Sequence, residues 1–405
     1  MTTPKLRFKE FVGCWVQKII SEIADVRGGK RLPKGYSLQE ENNGFPYITV
    51  TDMENGTVNL EKIRYVPLEV IDQIKRYRIS VDEIYISVAG TLGLVGIIPQ
   101  ELNNANLTEN ADKLTNIKCN QFYLLHYLNN GSLSKLIDSV STIGAQPKLA
   151  LYAIQGMPIF LPSLDEQTKI SSFLSAVDEK ISQLSQKHQL LSQYKQGMMQ
   201  KLFSQQIRFK ADDGSEFEEW ESRTLAEVGE NIIGLTYSPT DVTNDGSGIL
   251  VLRSSNIKNG RLNKNDQVRV NKKIKDKILV QPNDILICTR NGSQRLIGKS
   301  VIINDNEVMT FGAFMSVYRS QYNRFIAYLM QTPWFFEQVQ MNLGARINQI
   351  TTGTLNEFTF DFPCLEEQTK IANFLSAIDQ KIEVIEQQIE QAKQWKKGLL
   401  QQMFV

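Results

Sequence analysis

Apolar side chains recur in alternating steps of four and three along residues 161–203, at Ile170, Leu174, Val177, Ile181, Leu184, Leu191, Met198 and Leu202. His188 and Lys195 interrupt the stripe. The same register returns 201 residues later at Ile371, Leu375, Ile378, Ile382, Ile385, Ile389, Ala392, Leu399 and Met403, with Lys396 polar. Steps of four and three are the heptad pattern, so each stretch predicts a long helix with one apolar seam. Aligned without a gap, residues 161–203 and 362–404 are identical at 20 of 43 positions. The period is half of a 405-residue chain, which makes this a two-fold duplication and not a solenoid.

Both helices are placed after a proline, Pro162 or Pro363, and open with acids, Asp165 and Glu166 or Glu366 and Glu367. Negative charge suits the positive end of a helix dipole. Ser163 with Glu166 fits a capping box; Cys364 replaces that serine in the second copy. A helix of ~36 residues is ~55 Å long at 1.5 Å per residue. It needs a partner for its seam, either its own duplicate in an intramolecular coiled coil or an intermolecular bundle. A second apolar stripe flanks the seam: Phe173, Leu190, Tyr194, Met199, Phe374, Trp395 and Leu400. It either packs on the rest of the chain or docks another protein.

The duplication continues outside the helices. KLRFKEF (residues 5–11) is echoed by QIRFKADDGSEF (206–217), each followed by a tryptophan, Trp15 or Trp220. Residues 45–60 match 248–263, a strand, a polar loop and an Asn-Gly turn into a second strand. Residues 81–98 match 282–303, and 143–162 match 343–363, with loops that diverge more than the helices do. The expected architecture is α/β (α+β), with pseudo-two-fold symmetry. Its segments are a globule at 1–162, a spacer helix at 163–204, a second globule at 205–363 and a second helix at 364–405. Globules of about 155 residues are ordinary domain size.

A hydrophobic content of 41% with 22% charged residues is that of a soluble globular chain. No secretory signal, no membrane span and no cysteine pairing pattern is present, so the expected location is cytoplasmic. The net charge of +1 hides an uneven distribution. Residues 5–34 hold eight basic and three acidic side chains, residues 253–299 twelve and three, while 212–230 hold eight acids and one arginine. One basic patch per half suits a polyanion, though lysine-rich loops are also ordinary solvated surface.

Catalytic motifs are missing. GSQRLIGKS (292–300) is one residue too long for a phosphate-binding loop and is flanked by strands. No methyltransferase NPPY-type motif, nucleophile elbow or carboxylate cluster occurs, and two histidines leave little for a metal. His188 matches Ile389 in the seam and reads as a tolerated or register-setting core residue.

The doubled segment P-x-L-[DE]-E-Q-T-K-I-x-x-F-L-S-A-[VI]-D-x-K-I, with RFK and tryptophan near the start of each half, resembles the specificity subunits of type I restriction-modification systems. The resemblance spans essentially the whole chain. It implies a subunit that catalyses nothing. Each globule would be a target recognition domain reading one half of a bipartite, asymmetric site on double-stranded DNA. The helices would pack antiparallel as a spacer and dock two methyltransferase (modification) subunits, with restriction (endonuclease/translocase) subunits joining them. S-adenosylmethionine, ATP and Mg are expected in those partners and no cofactor in this chain. Dimeric readers place half-sites ~34–36 Å apart, within the reach of such a spacer. The alternative reading is a coiled-coil scaffold that reads no DNA, an orphan or decayed copy. A self-sufficient methyltransferase is disfavoured by the missing motifs.

Base readers should be donor-rich loop residues at equivalent places in both halves. In the first half these are Lys30, Arg31 and Lys34, which suit phosphates, and Tyr36, then Thr49, Thr51 and Asp52, then Ser87 and Thr91, then Gln146 and Lys148. In the second they are Tyr237, then Arg253, Ser254 and Asn256, then Thr289, Arg290, Asn291, Gln294 and Arg295, then Arg346, Asn348 and Gln349. Arginine suits guanine and Asn or Gln suits adenine, a good bidentate pair discriminating by ~1–3 kcal/mol. Any one of these is also what a solvated loop carries; the weight lies on the loops as a set.

Overall fold

The computed structural model describes residues 3–140, 148–343 and 348–405. The chain forms two compact units, one from Met1–Gln186 with Ile385–Val405, the other from Lys187–Val384. The boundaries fall inside the two long helices, Leu164–Phe203 and Leu365–Met403, and not at 162 and 204. Each helix therefore lends one stretch to each unit. The helices run 40 and 39 residues, somewhat longer than expected.

Each unit closes the seam in the same way. In the first, Ile170, Leu174 and Val177 near the start of one helix share a core with Leu399, Leu400, Met403 and Phe404 at the end of the other. In the second, Met199 and Leu202 near the end of one helix meet Ile371, Leu375, Ile378 and Ile382 near the start of the other. Start against end is antiparallel pairing. The interruption at Lys195 is not a defect, because its Nζ lies 2.7 Å from Asp379 Oδ1 in the second unit. Its repeat mate Lys396 lies 2.5 Å from Asp178 in the first. His188 is half-buried.

The repeated signature outside the seam is explained by buried charge. Arg7 grips Glu166 with both ends of its guanidinium, at 2.7 and 2.8 Å, and Arg208 grips Glu367 at 3.2 and 2.9 Å. Glu166 and Glu367 are 1% and 0% exposed, so each carboxylate depends on its partner. Trp220 adds a 2nd donor to Glu367 at 3.1 Å, whereas the Nε1 of buried Trp15 has no partner among the described residues. The glutamines after them, Gln167 and Gln368, return to the carbonyls of Pro162 and Pro363 at 2.9 and 2.8 Å. Ser163 caps Glu166 N at 3.4 Å, but the Glu166 carboxylate goes to Arg7, so only half of the expected box forms.

Each unit carries two four-stranded sheets. In the first, strands Asp25–Gly28, Ala111–Thr115, Ile84–Ser87 and Val95–Gly96 lie side by side, all antiparallel. A second sheet runs Arg64–Tyr65, Pro46–Ile48, Ala105–Leu107 and Arg78–Ile79, parallel only at its central pair. The second unit repeats the first sheet, as Glu230–Ile233, Met315–Arg319, Ile285–Cys288 and Ser300–Ile302. Its other sheet runs Val242–Thr243, Arg269–Val270, Ile249–Leu252 and Met309–Phe311 and keeps the parallel pair, but at the sheet's end. Ile84–Ser87 and Ile285–Cys288 are buried throughout, which is why they read as near-continuous apolar runs. Within the expected α/β (α+β) class, the prevalence of antiparallel pairs makes this α+β. The Asn259-Gly260 turn has positive φ at both residues, 53° and 71°, as a two-residue hairpin requires.

The second apolar stripe divides. Met199 and Leu400 are buried in the cores of their units and are withdrawn from the docking face. Phe173 packs edge-on against Phe8 and Trp395, and Phe374 against Phe209. Leu190, Tyr194 and Trp395 remain exposed, at 58%, 50% and 54%.

Candidate nucleic-acid interface

In each unit, three separate segments hang from one turn by backbone hydrogen bonds and a fourth hangs from one of the three. In the first unit Lys30 N donates to Leu107 O at 2.8 Å, and Thr108 N to Ile48 O at 3.1 Å. Val88 N and Ala89 N both donate to Asn110 O, at 2.7 and 3.2 Å, and Leu149 N to Val88 O at 3.0 Å. The second unit repeats the set. Leu235 N donates to Phe311 O at 2.6 Å, and Gly312 N to Leu252 O at 2.9 Å. Thr289 N and Arg290 N both donate to Phe314 O, at 3.1 and 3.0 Å, and Ile350 N to Thr289 O at 2.9 Å. The four loop regions picked from the sequence are thus gathered around residues 107–111 and 311–315.

Matching bonds also set the true correspondences. Thr49 pairs with Arg253, Ala89 with Arg290, Asn110 with Phe314, and Lys148 with Gln349. Tyr237 lies two residues past Leu235, the counterpart of Lys30, so it corresponds to Leu32 and not to Tyr36. Sequence reading missed Gly29 and Gly234, which make the gathering sterically feasible. A Cβ on Gly29 would stand 2.0 Å from Thr108 O, and one on Gly234 2.2 Å from Gly312 O. The signal was present as a glycine just before each first loop.

The second unit opens a cleft of about 750 Å³ lined by Tyr237, Arg253, Ser254, Arg290, Asn291 and Phe314, among others. Arg253 donates through Nη2 to Asp266, which also accepts from the Ser255 hydroxyl. The Ser255 hydroxyl and this guanidinium hold the Asp266 carboxyl below its usual range. Arg290 lies over the Phe314 ring, 4.9 Å from its centroid. Asn291 Nδ2 donates to Ser254 Oγ at 2.9 Å, and Asn348 Nδ2 to Gly292 O at 3.1 Å. Gln349 bridges to Arg290 through the backbone. Gln294 and Arg295 are exposed on the next turn, outside the cleft lining, with Gln294 bonded to Gln340 at 3.2 Å.

The first unit presents different side chains on the same frame. Lys30 is exposed, its Nζ 5.8 Å from the Tyr77 ring, and Arg31 is paired with Glu109 of the central turn at 2.6 Å. Lys34, Tyr36, Thr51, Thr91 and Lys148 are exposed, and Thr49 is half-buried. Asp112, buried with one oxygen unpartnered among the described residues, has its carboxyl pushed up by burial, with Lys148 opposing.

Four of the expected readers turn inward. Asp52 accepts from Thr49 N and Oγ1 at 2.8 and 2.6 Å, and Ser87 Oγ accepts from Leu94 N at 2.8 Å. Asn256 caps Arg253 N at 2.8 Å and donates to the carbonyls of Asn263 and Asp266. Thr289 donates to Phe314 O at 3.0 Å. All four are buried and their polar groups hold the loops together. Gln146 and Arg346 lie outside the described residues.

The model of the type I restriction modification DNA specificity domain matches the chain twice, at residues 14–193 and 217–394. The chain is 25% identical over 418 residues to a type I restriction enzyme specificity subunit of Methanocaldococcus jannaschii, MjaX, covering 95% of this chain and 92% of that one. It is 28% identical over 184 residues to the EcoKI specificity subunit of Escherichia coli, covering 44% of this chain and 40% of that one. In fold it resembles a type I restriction-modification S subunit from M. genitalium, with a TM-score of 0.61, 14% identity and coverage of 100% and 99%. It also resembles a chain from a type I system studied for complex assembly, with a TM-score of 0.57, 15% identity and coverage of 95% and 96%. With two matched domains and these relatives, the chain belongs to the specificity subunits of type I restriction-modification systems, the subunits that recognise DNA sequence.

Proposed function

We propose that each unit reads one half of a bipartite, asymmetric DNA site and that the chain directs N6-adenine methylation or restriction by its partners. The observation that carries this is the pair of gathered loop sets: the frame is the same in both units and the side chains on it differ. Two such readers in one chain suit two unlike half-sites. The exposed Leu190, Tyr194 and Trp395 suit docking of two methyltransferase subunits, which restriction subunits join. S-adenosylmethionine, ATP and Mg belong to those partners, and this chain contributes specificity without catalysis. The complex is cytoplasmic in this reading; among the described residues no helix is long and apolar enough to cross a membrane.

Single-molecule sequencing of the host genome tests the reading. A bipartite motif methylated on adenine in both halves should be present and should vanish when this chain is deleted. A methylome unchanged by the deletion would leave the scaffold alternative standing.

A further inference from the structure

We propose that the second unit's half-site contains guanine, read in the major groove by Arg253 and Arg290, and that the first unit's half-site is read without this pair. The inference rests on the DNA-reading function above and goes beyond it to the base chemistry.

Three observations converge on the cleft. First, Arg253 has Asp266 as its counter-ion, so the pair has little net charge to offer a phosphate. Phosphate contacts depend on net positive charge, whereas base contacts depend on placed donors. A neutralised guanidinium with a fixed plane is suited to the second task. Second, the Arg253 side chain lines the cleft at 41% exposure while its Nε–H is buried without a partner among the described residues, so only the outer end of the guanidinium can reach a base. Third, the Arg290 guanidinium carbon lies over the Phe314 ring, 4.9 Å from its centroid, and the ring is itself 57% exposed. A cation–π contact of this kind positions the guanidinium without using its N–H donors. Its backbone is fixed to Phe314 O at 3.0 Å.

Guanine presents two acceptors, N7 and O6, side by side in the major groove; adenine presents one acceptor and one donor there, and the donor would face another donor. Two preset guanidinium edges from separate segments therefore favour guanine. The first unit has Thr49 where the second has Arg253, Ala89 where it has Arg290 and Asn110 where it has Phe314, so the preference belongs to one half-site.

The test uses the full chain in complex with its modification subunits. The methylated motif is determined by genome sequencing for the wild type and for Arg253→Gln and Arg290→Ala. Each variant is expected to relax a guanine position in one half-site and leave the other half-site unchanged. Binding is then measured for the wild-type complex on duplexes in which 7-deazaguanine replaces every guanine of that half-site, removing the N7 acceptor. Affinity should fall at least about fivefold, the lower end of what a bidentate contact discriminates. This second measurement needs no variant to fold. Equal binding of the 7-deazaguanine duplex overturns the proposal, as do variants that lower methylation without changing the motif, the mark of phosphate contacts. A bipartite motif with no guanine in either half defeats this inference alone. Absence of any bipartite motif defeats the DNA-reading function itself.

Discussion

The two units agree in the charge pairs that anchor the helices and differ where side chains face the cleft. Arg7–Glu166 and Arg208–Glu367 are the same contact 201 residues apart, as are Asp178–Lys396 and Lys195–Asp379. At the gathered loops, by contrast, Thr49, Ala89 and Asn110 stand against Arg253, Arg290 and Phe314. The reason is physical. A carboxylate at 0–1% exposure tolerates no loss of its partner, so both members are constrained together. The loops hang from backbone N–H and C=O groups, which every residue but proline provides in full. Side chains there can change completely while the frame keeps its geometry.

The strongest way to break this comparison is to remove the buried arginines. Arg7→Ala strands Glu166 at 1% exposure and should cost about 3–5 kcal/mol. Arg208→Ala strands Glu367 less completely, since Trp220 still donates to it at 3.1 Å. Its cost should be lower by about 1.5–3 kcal/mol, the worth of a hydrogen bond to a charged group. Urea unfolding of the full chain measures both. Equal losses would mean that the tryptophan contact contributes nothing and that the units are equivalent even here.

A further difference should appear in acid. His126 in the first unit occupies the place of Tyr328 in the second, each facing the helix aspartate. Burial pushes the His126 pKa down from 6.5 to about 4, with Asp178 opposing and Lys396 adding to the shift. Its folded pKa lies below its unfolded one, so the unfolded chain takes up the proton first. Stability is then complete above about pH 6.5 and is lost as pH falls towards 4. At 1.36 kcal/mol per unit the loss approaches roughly 3 kcal/mol. Thermal unfolding across that range should show it for the wild type and not for His126→Gln. An unaltered acid response in that variant would assign the loss to other groups.

The helices, the duplication and the four loop regions were legible because their signals are local. Heptad spacing and a matched signature need no knowledge of what packs on what. The role of Lys195 and the division into units were not, because each depends on contacts between residues far apart in sequence, and the antiparallel pairing was legible only through the family resemblance. Polar loop residues were the least readable: Thr49 and Asp52 look alike as loop polars, yet Asp52 points inward as a cap. A cap and a reader use the same donor and acceptor groups, and only the fold decides which way they face. Gly29 and Gly234 were missed for a related reason, since the carbonyl that forbids a Cβ comes from a distant turn.

The smallest effect concerns the polar pairs within the helix seam. Lys195 and Lys396 are 16% and 24% exposed and their aspartates about 40%, so solvent screens both pairs. Double-mutant cycles to alanine should give a coupling of ~0.2–1 kcal/mol in each unit, the range of partly exposed pairs. The single substitutions should nonetheless differ. Asp379 also accepts from Tyr328 Oη at 2.9 Å, and Lys195 lies 5.2 Å from that ring's centroid. Asp178 has only His126 Nδ1 at 4.0 Å in the same place. Asp379→Ala leaves the Tyr328 hydroxyl without its acceptor and should cost about 1 kcal/mol more than Asp178→Ala at neutral pH. Equal costs would show that the tyrosine finds another partner. The seam pairs would then be interchangeable, and the two units would differ only at their clefts and at His126.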